Sequence, residues 1–170
     1  MTRIRSLFAL ASALLILATT TTFVTATPGS GVTSTVFAVG QFDVIDATTL
    51  TDIDPSESTS LWQARIRTKG STSVHMLENR IAPGGTFGWH SHPGPSLVVV
   101  KTGELTLYLA SDPTCAGHVV PAGKGFVDNG GDVHVVLNEG SVETIVYVTS
   151  LVPEGFARRI DQPAPPQCSL

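Results

Sequence analysis

The sequence predicts an all-β fold in which short strands close into a sandwich or barrel. Apolar or alternating runs rich in Val, Thr and Leu recur along the chain, with turn residues about every ten positions, and no long helical period interrupts them. The chain has 170 residues, of which 42% are hydrophobic, and this is enough for one domain with a packed core.

The predicted strands follow one another through the middle of the chain. They cover residues 36–45, 61–68, 73–82, 86–92, 97–101, 104–110, 118–120, 125–128, 133–137 and 143–151. Turn-forming stretches such as Pro83-Gly84-Gly85 and Asn129-Gly130-Gly131 separate these runs. Residues 48–59 are compatible with a short helix.

Alternation within the runs predicts which side chains share a face. Leu105, Leu107 and Leu109 fall on one face of their strand, so we expect that face to be part of the core. His134 falls opposite its Val neighbours in the run 133–137. Whether His134 points into a barrel or into solvent stays open at this stage.

The first 26 residues have the pattern of a secretory signal peptide. Arg3 and Arg5 form a basic start, the apolar run 7–18 follows, and Val24-Thr25-Ala26 supplies small residues before a cleavage site at Thr27. An uncleaved anchor is the alternative, but the run is shorter than the roughly 20 residues that a spanning helix needs. We therefore expect a secreted protein, extracellular or on the exterior of the cell envelope. The predicted organisation is a signal peptide (1–26), a flexible segment (27–35), a β-barrel domain (36–160) and a Pro-rich tail (161–170).

The charge of the predicted mature chain excludes one class of partner. Without the signal peptide, eight basic and 14 acidic residues remain, a net charge of −6. Phosphate backbones bind to concentrated basic surfaces, so we expect no nucleic acid partner. After signal cleavage we expect no membrane partner either.

The chain has two cysteines, Cys115 and Cys168. In an exported protein an even pair is more often a disulfide than a metal or redox site. The bridge would anchor the tail 161–170, whose prolines disfavour both a helix and a central strand.

Three histidines carry the functional hypothesis. His90 and His92 are one residue apart, so in an extended strand they share a face while Trp89 and Ser91 take the other. With His134 they would offer three imidazoles, which suit Zn, Cu, Fe or Ni and leave a coordination position open. The alternative is that the three are barrel residues hydrogen-bonded to one another or to water.

The order and spacing of these residues resemble the two motifs of the cupin superfamily. The first motif, G-x5-H-x-H-x3-E-x6-G, is matched by Gly84, His90, His92, Ser96 and Gly103. The second, G-x5-P-x-G-x2-H-x3-N, is matched by Gly123, Asn129, Gly131, His134 and Asn138. The chain resembles small, single-domain (type-2-like) exported bacterial cupins, which implies a jelly-roll barrel, also called a double-stranded β-helix.

The resemblance also implies a site. Cupins hold a divalent metal with three His and one Glu, so His90, His92 and His134 would be the metal ligands here. The Glu position is occupied by Ser96, a poor ligand, and the second-motif Pro by Asn129, which forms a turn equally well with Gly130. The expected cofactor is one divalent transition metal: Zn, Fe, Mn, Cu or Ni.

Two functions fit this reading. One is a metal-dependent enzyme, a dioxygenase, decarboxylase or isomerase acting on a small oxygen-rich or carboxylate molecule. The other is a non-catalytic barrel that binds a small ligand or a metal, and a purely structural domain would follow if no metal binds. No catalytic residue is assigned, because the orientations of Glu104 and Asp128 at strand ends are open. His75 and His118 match no motif position, and a homodimer is a further expectation.

Overall fold

A computed structural model describes residues 26–52, 61–168 and 170, and the regular elements in these ranges are all strands. They are β1 (Ser30–Phe42), β2 (Asp46–Asp52), β3 (Leu61–Arg67), β4 (Thr72–Thr86), β5 (His90–Ser91), β6 (Ser96–Thr102), β7 (Glu104–Leu109), β8 (His118–Pro121), β9 (Gly125–Asp128), β10 (His134–Leu137), β11 (Thr144–Pro153) and β12 (Ile160–Asp161). The predicted all-β class is confirmed. The described part of the chain has no helix that is long and apolar enough to cross a bilayer.

Ten of the strands form one antiparallel sheet that curls into a barrel. One half has the order β1-β4-β11-β6-β9, and the other has the order β12-β5-β10-β7-β8. The halves join where Thr86 at the end of β4 pairs with Leu137 of β10. β2 and β3 form a separate two-stranded sheet. The interior between the two halves is where the core and the site lie.

The core is aliphatic and receives side chains from both halves of the barrel. Its buried members are Leu77, Ile81, Val98, Val100, Leu105, Val136, Val146 and Val148. Leu107 packs against this cluster from the same face of β7 as Leu105, which confirms the predicted core face. His134 shares its face of β10 with Val136, so it points into the barrel. The question that the strand pattern left open is therefore settled.

The C-terminal tail covers the outer face of β5, β7 and β10. Cys168 is bonded to Cys115, as expected from the sequence, and the two Cα atoms lie 5.4 Å apart. Cys168 is buried in a second cluster with Trp89, Tyr108 and Val135. The disulfide thus fixes the tail against the back of the strand that carries His90.

The expectation of a flexible segment over residues 27–35 is wrong. β1 begins at Ser30 and pairs with β4, because the Val and Thr residues in this stretch suit a strand and the edge of β4 supplies a partner. Ahead of β1, the backbone N–H of Trp89 donates to Thr27 Oγ1 at 2.6 Å. Sequence patterning cannot detect such a long-range partner, so the barrel begins six residues earlier than position 36.

Two other local predictions also differ from the structure. The sequence predicts a turn at Pro83-Gly84-Gly85, but this stretch lies inside β4, because Thr86 beyond it pairs with both β1 and β10. Of the stretch compatible with a helix, residues 48–52 belong to β2, where in-register pairing with β3 and β-branched Thr residues favour a strand. Residues 53–60 and residues 1–25, where a signal peptide is predicted, lie outside the described residues.

Candidate metal centre

His90, His92 and His134 come together inside the barrel. His90 on β5 lies directly opposite His134 on β10, and His92 follows β5 by one residue. The ring centroids are 4.4 Å apart for His90 and His134, 4.9 Å for His90 and His92, and 5.4 Å for His92 and His134. One ring nitrogen from each histidine lies within 4.8 Å of the other two. The face-sharing expected from the spacing therefore produces a compact group.

Backbone carbonyls fix the orientation of all three rings. A carbonyl oxygen only accepts hydrogen bonds, so each Nδ1 carries the proton and donates it. Each Nε2 is then left with a free lone pair, the state in which a neutral imidazole binds a metal. The three acceptors are the carbonyl of Gly88 for His90 (2.8 Å), of Arg158 for His92 (2.6 Å) and of Asp132 for His134 (3.0 Å).

Burial keeps the imidazoles of His90 and His92 uncharged. His90 and His134 are each 4% exposed and His92 is 9% exposed. Burial, together with the neighbouring His134, lowers the pKa of His90 to about 2. Burial also lowers the pKa of His92, against the opposing effects of the Arg158 carbonyl and Asp128. His90 and His92 are therefore neutral near pH 7, as metal ligation requires.

A small cavity of about 60 Å³ adjoins the three imidazoles. Phe87 lines it and packs against His90 with ring centroids 5.9 Å apart, whereas Trp89 faces outward into the cluster around Cys168. Both aromatic residues thus pack within the barrel wall, but Phe87 also lines the cavity. The volume is enough for a few water molecules or a ligand of a few heavy atoms.

Arg158 brings a positive charge to the same cavity. Its side chain lines the cavity, and burial, followed by the charge of Arg159, lowers its pKa. Arg159 pairs with Asp161 at 2.6 Å, but Arg158 makes no ion pair with any residue in the described ranges. A guanidinium in this state is suited to bind an anionic group that enters the cavity.

Ser96, at the position of the family's Glu, forms its hydrogen bond with another serine and not with a histidine of the site. Its hydroxyl lies 2.8 Å from the hydroxyl of Ser150, and both side chains are buried. Asp128 on β9 is the neighbouring carboxylate: its Oδ2 lies 3.5 Å from His92 Nε2. The orientation of Asp128, open from sequence alone, is therefore toward the site.

Other motif residues build the frame of the site. Asn138 is fully buried, and its side-chain amide donates to the carbonyls of Ile81 and Val142 while its Oδ1 accepts from the Gly140 N–H. Gly103 has a φ of +71°, and a Cβ there would lie 2.4 Å from Thr144 Oγ1. The motif thus specifies turns and loop anchors as well as ligands.

Sequence reasoning missed the contributions of the C-terminal segment. β12 pairs with β5, so that Asp161 lies opposite His90, and Arg158 just ahead of it orients His92. In the sequence, Arg158 and Arg159 stand just before the Pro-rich tail, which is the one feature that could have drawn attention to this segment. No local pattern there indicates that it pairs with β5. His75 and His118 lie outside the three-histidine group, as expected.

Several solved structures are similar to part of this chain. Oxalate oxidase in complex with the substrate analogue glycolate is 29% identical, with a TM-score of 0.41, and the match covers 62% of this chain and 50% of that one. The polyketide cyclase RemF from Streptomyces resistomycificus is 17% identical, with a TM-score of 0.45, 55% of this chain and 65% of that one being covered. A protein from Thermotoga maritima described as a predicted oxalate decarboxylase is 16% identical, with a TM-score of 0.40 and coverage of 49% and 83%. The chain spans about half the length of the oxalate oxidase that it matches.

Sequence comparison gives one family. Among curated proteins, none matches the chain. Residues 77–150 match the family model described as a cupin domain, and this stretch runs from β4 to β11 and includes all three site histidines. Its strands are the central part of the antiparallel barrel. Residues 77–150 therefore match a cupin domain, and the described strands around them form an all-β jelly-roll fold.

Proposed function

We propose that this protein binds one divalent transition metal through Nε2 of His90, His92 and His134. The observation that carries the proposal is the set of three backbone carbonyls that hold every Nδ1 and leave three bare Nε2 atoms in a buried cavity. The donor set fits Zn, Fe, Mn, Cu or Ni, because neutral imidazole binds all of these. When bound, such a metal polarises a coordinated oxygen or lowers the pKa of a coordinated water.

The ligand that best fits the cavity is a small, oxygen-rich anion such as a carboxylate. Arg158 supplies a half-buried positive charge without an ion-pair partner among the described residues, and a metal would add to it. The cavity of about 60 Å³ restricts the part of the ligand that enters to a few heavy atoms. The corresponding activity is that of a metal-dependent enzyme, a dioxygenase, decarboxylase or isomerase.

A non-catalytic barrel that binds the same small anion or the metal alone is the second candidate. Ser96 replaces the family's Glu, and its hydroxyl is hydrogen-bonded to that of Ser150. This position therefore supplies no acid or base. Incubation of the metal-loaded protein with small carboxylates separates the two functions. Product formation that is lost in His134→Ala supports the enzyme, and binding without product supports the module.

Metal analysis tests the site itself. We expect close to one metal per chain in the mature protein after reconstitution, and loss of that metal in His92→Ala and in His134→Ala. His118→Ala is the matched control, because His118 is exposed on β8 and should leave the metal content unchanged. No metal in the wild type after exposure to Zn, Fe, Mn, Cu and Ni would contradict the proposal.

Export and self-association belong to the same proposal. The disulfide suits an oxidising compartment, which supports secretion after cleavage before Thr27. Phe37 and Phe42 on β1 are 60% and 47% exposed, and a second copy of the chain would cover such a face. N-terminal sequencing of the exported protein and its mass in solution measure these two points.

A further inference from the structure

Asp128 is a buried carboxylate with one oxygen unused. Asp128 is 8% exposed, and its Oδ1 accepts a hydrogen bond from the backbone N–H of Gly130 at 3.0 Å. Its Oδ2 is buried and has no hydrogen-bond partner in the described part of the chain. A buried charged oxygen without a partner costs several kcal/mol, so such an atom is expected to have a ligand.

The turn after β9 fixes the direction of this carboxylate. Gly130 has a φ of +77°, and a Cβ there would lie within 3 Å of the Gly94 backbone. Only glycine fits this position, and its N–H holds Oδ1 of Asp128 in place. The other oxygen, Oδ2, is thereby directed to the cavity that the histidines line.

Register places Asp128 beside the family's missing ligand. Ser96 on β6 pairs directly with Asp128 on β9, and on its other side with Ser150 on β11. Residues directly opposite on antiparallel strands project from the same face of the sheet, with Cβ atoms about 5 Å apart. A carboxylate at position 128 therefore enters the barrel one strand away from position 96.

The distance between Asp128 and His92 is close to the distance between two ligands of one metal ion. His92 donates from Nδ1 to the Arg158 carbonyl, so its Nε2 is an acceptor, and it faces Asp128 Oδ2 at 3.5 Å. Two acceptors at this distance repel each other unless a proton or a metal ion lies between them. Two ligand atoms each about 2.1 Å from one metal, at a tetrahedral angle, are about 3.4 Å apart.

We infer that Asp128 is a fourth, carboxylate ligand of the metal and takes the place of the Glu that Ser96 lacks. The inference rests on the three-histidine site proposed above. The carboxylate approaches the imidazole group from the side of His92, and its negative charge offsets part of the metal's charge. The centre then has three nitrogen ligands and one oxygen ligand, but the oxygen comes from β9 instead of β6.

The test is Zn²⁺ affinity of the chelator-stripped mature protein, measured by titration calorimetry for the wild type and three variants. Asp128→Asn keeps the shape and the Oδ1 acceptor, and it should weaken Zn²⁺ binding at least about tenfold, since even partners outside the coordination sphere change affinity by about 10- to 100-fold. Asp43→Asn, an exposed carboxylate in the bend after β1, is the control and should bind like the wild type.

The double variant Ser96→Glu/Asp128→Asn moves the carboxylate to the family's position. It should recover most of the lost affinity, which a variant weakened only by misfolding would not do. Equal affinity of Asp128→Asn and wild type would overturn the role of Asp128 and leave the three-histidine site intact. No Zn²⁺ binding by the wild type would instead overturn the three-histidine site, and the fourth ligand with it.

Discussion

The two faces of the strand that carries His90 differ in whether their polar groups have partners within the protein. On the inner face, His90 and His92 hold their Nε2 atoms toward the cavity, and neither nitrogen accepts a hydrogen bond from the described part of the chain. On the outer face, Trp89 is 3% exposed in the cluster around Cys168, and the Ser91 hydroxyl accepts from the side-chain amide of Gln162 at 3.1 Å. The inner face therefore keeps imidazole nitrogens free to bind a ligand, whereas the polar groups of the outer face form hydrogen bonds within the protein.

The difference indicates that the outer face stabilises the barrel and that the inner face is available for binding. Burying acceptors without donors costs free energy, so the strand has to be held from behind. Both ends of the described chain do this: in the C-terminal tail Gln162 donates its backbone N–H to the Trp89 carbonyl at 2.9 Å, and ahead of β1 Thr27 accepts from the Trp89 N–H. Changes to the outer face should therefore lower the free energy of unfolding, whereas changes to the inner face should alter metal binding.

The largest effect on stability is expected from Trp89→Ala. Truncation of a buried aromatic side chain removes apolar contacts and leaves a cavity, which costs about 3–5 kcal/mol in the free energy of unfolding. Urea denaturation followed by circular dichroism measures it. Trp62→Ala is the matched control, because Trp62 on β3 is 52% exposed. Equal, small losses in both variants would show that the outer cluster does not stabilise the barrel.

Removal of the disulfide in Cys115→Ser/Cys168→Ser comes next. The bridge spans 53 residues of sequence, and its loss should lower the free energy of unfolding by about 2–4 kcal/mol. Hydrogen exchange at the Gln162 amide should also become faster, since the tail is no longer anchored. Unchanged exchange at Gln162 would mean that β12 holds the tail without the bridge.

The smallest effect is expected from Ser96→Ala on the inner face. It removes the hydrogen bond to Ser150, which is worth about 1 kcal/mol, and should leave the Zn²⁺ affinity within twofold of the wild type. Ser150→Ala is the matched control, because it breaks the same hydrogen bond from the other strand. A large loss of affinity in Ser96→Ala alone would make Ser96 a ligand and weaken the case for Asp128.

The face that His90 and His92 share could be predicted from local geometry, whereas His134 is assigned to the same site through the resemblance to the second cupin motif. The H-x-H spacing places His90 and His92 on one face of an extended segment, and the second motif supplies His134 in register. The all-β class likewise follows from the period of two and the regular turns. Local patterns of this kind survive folding because tertiary contacts reinforce them.

The parts that could not be predicted depend on pairing between distant strands. The approach of Asp128 to His92 follows from the register of β9 against β6, which no spacing in the sequence specifies. The carbonyl of Arg158 that orients His92 lies 66 residues away in sequence. The order of the segment after Thr27 likewise comes from Trp89, so composition alone indicated flexibility there.

X-ray absorption at the zinc edge of the Zn²⁺-loaded mature protein identifies the atoms that bind the metal in the proposed three-histidine site. It reports the type and number of atoms bound to the metal, independently of any activity. We expect three imidazole nitrogens at about 2.0–2.1 Å, at least one oxygen and no sulfur, since both cysteines are in the disulfide. Fewer than three imidazoles, or a sulfur ligand, would contradict it.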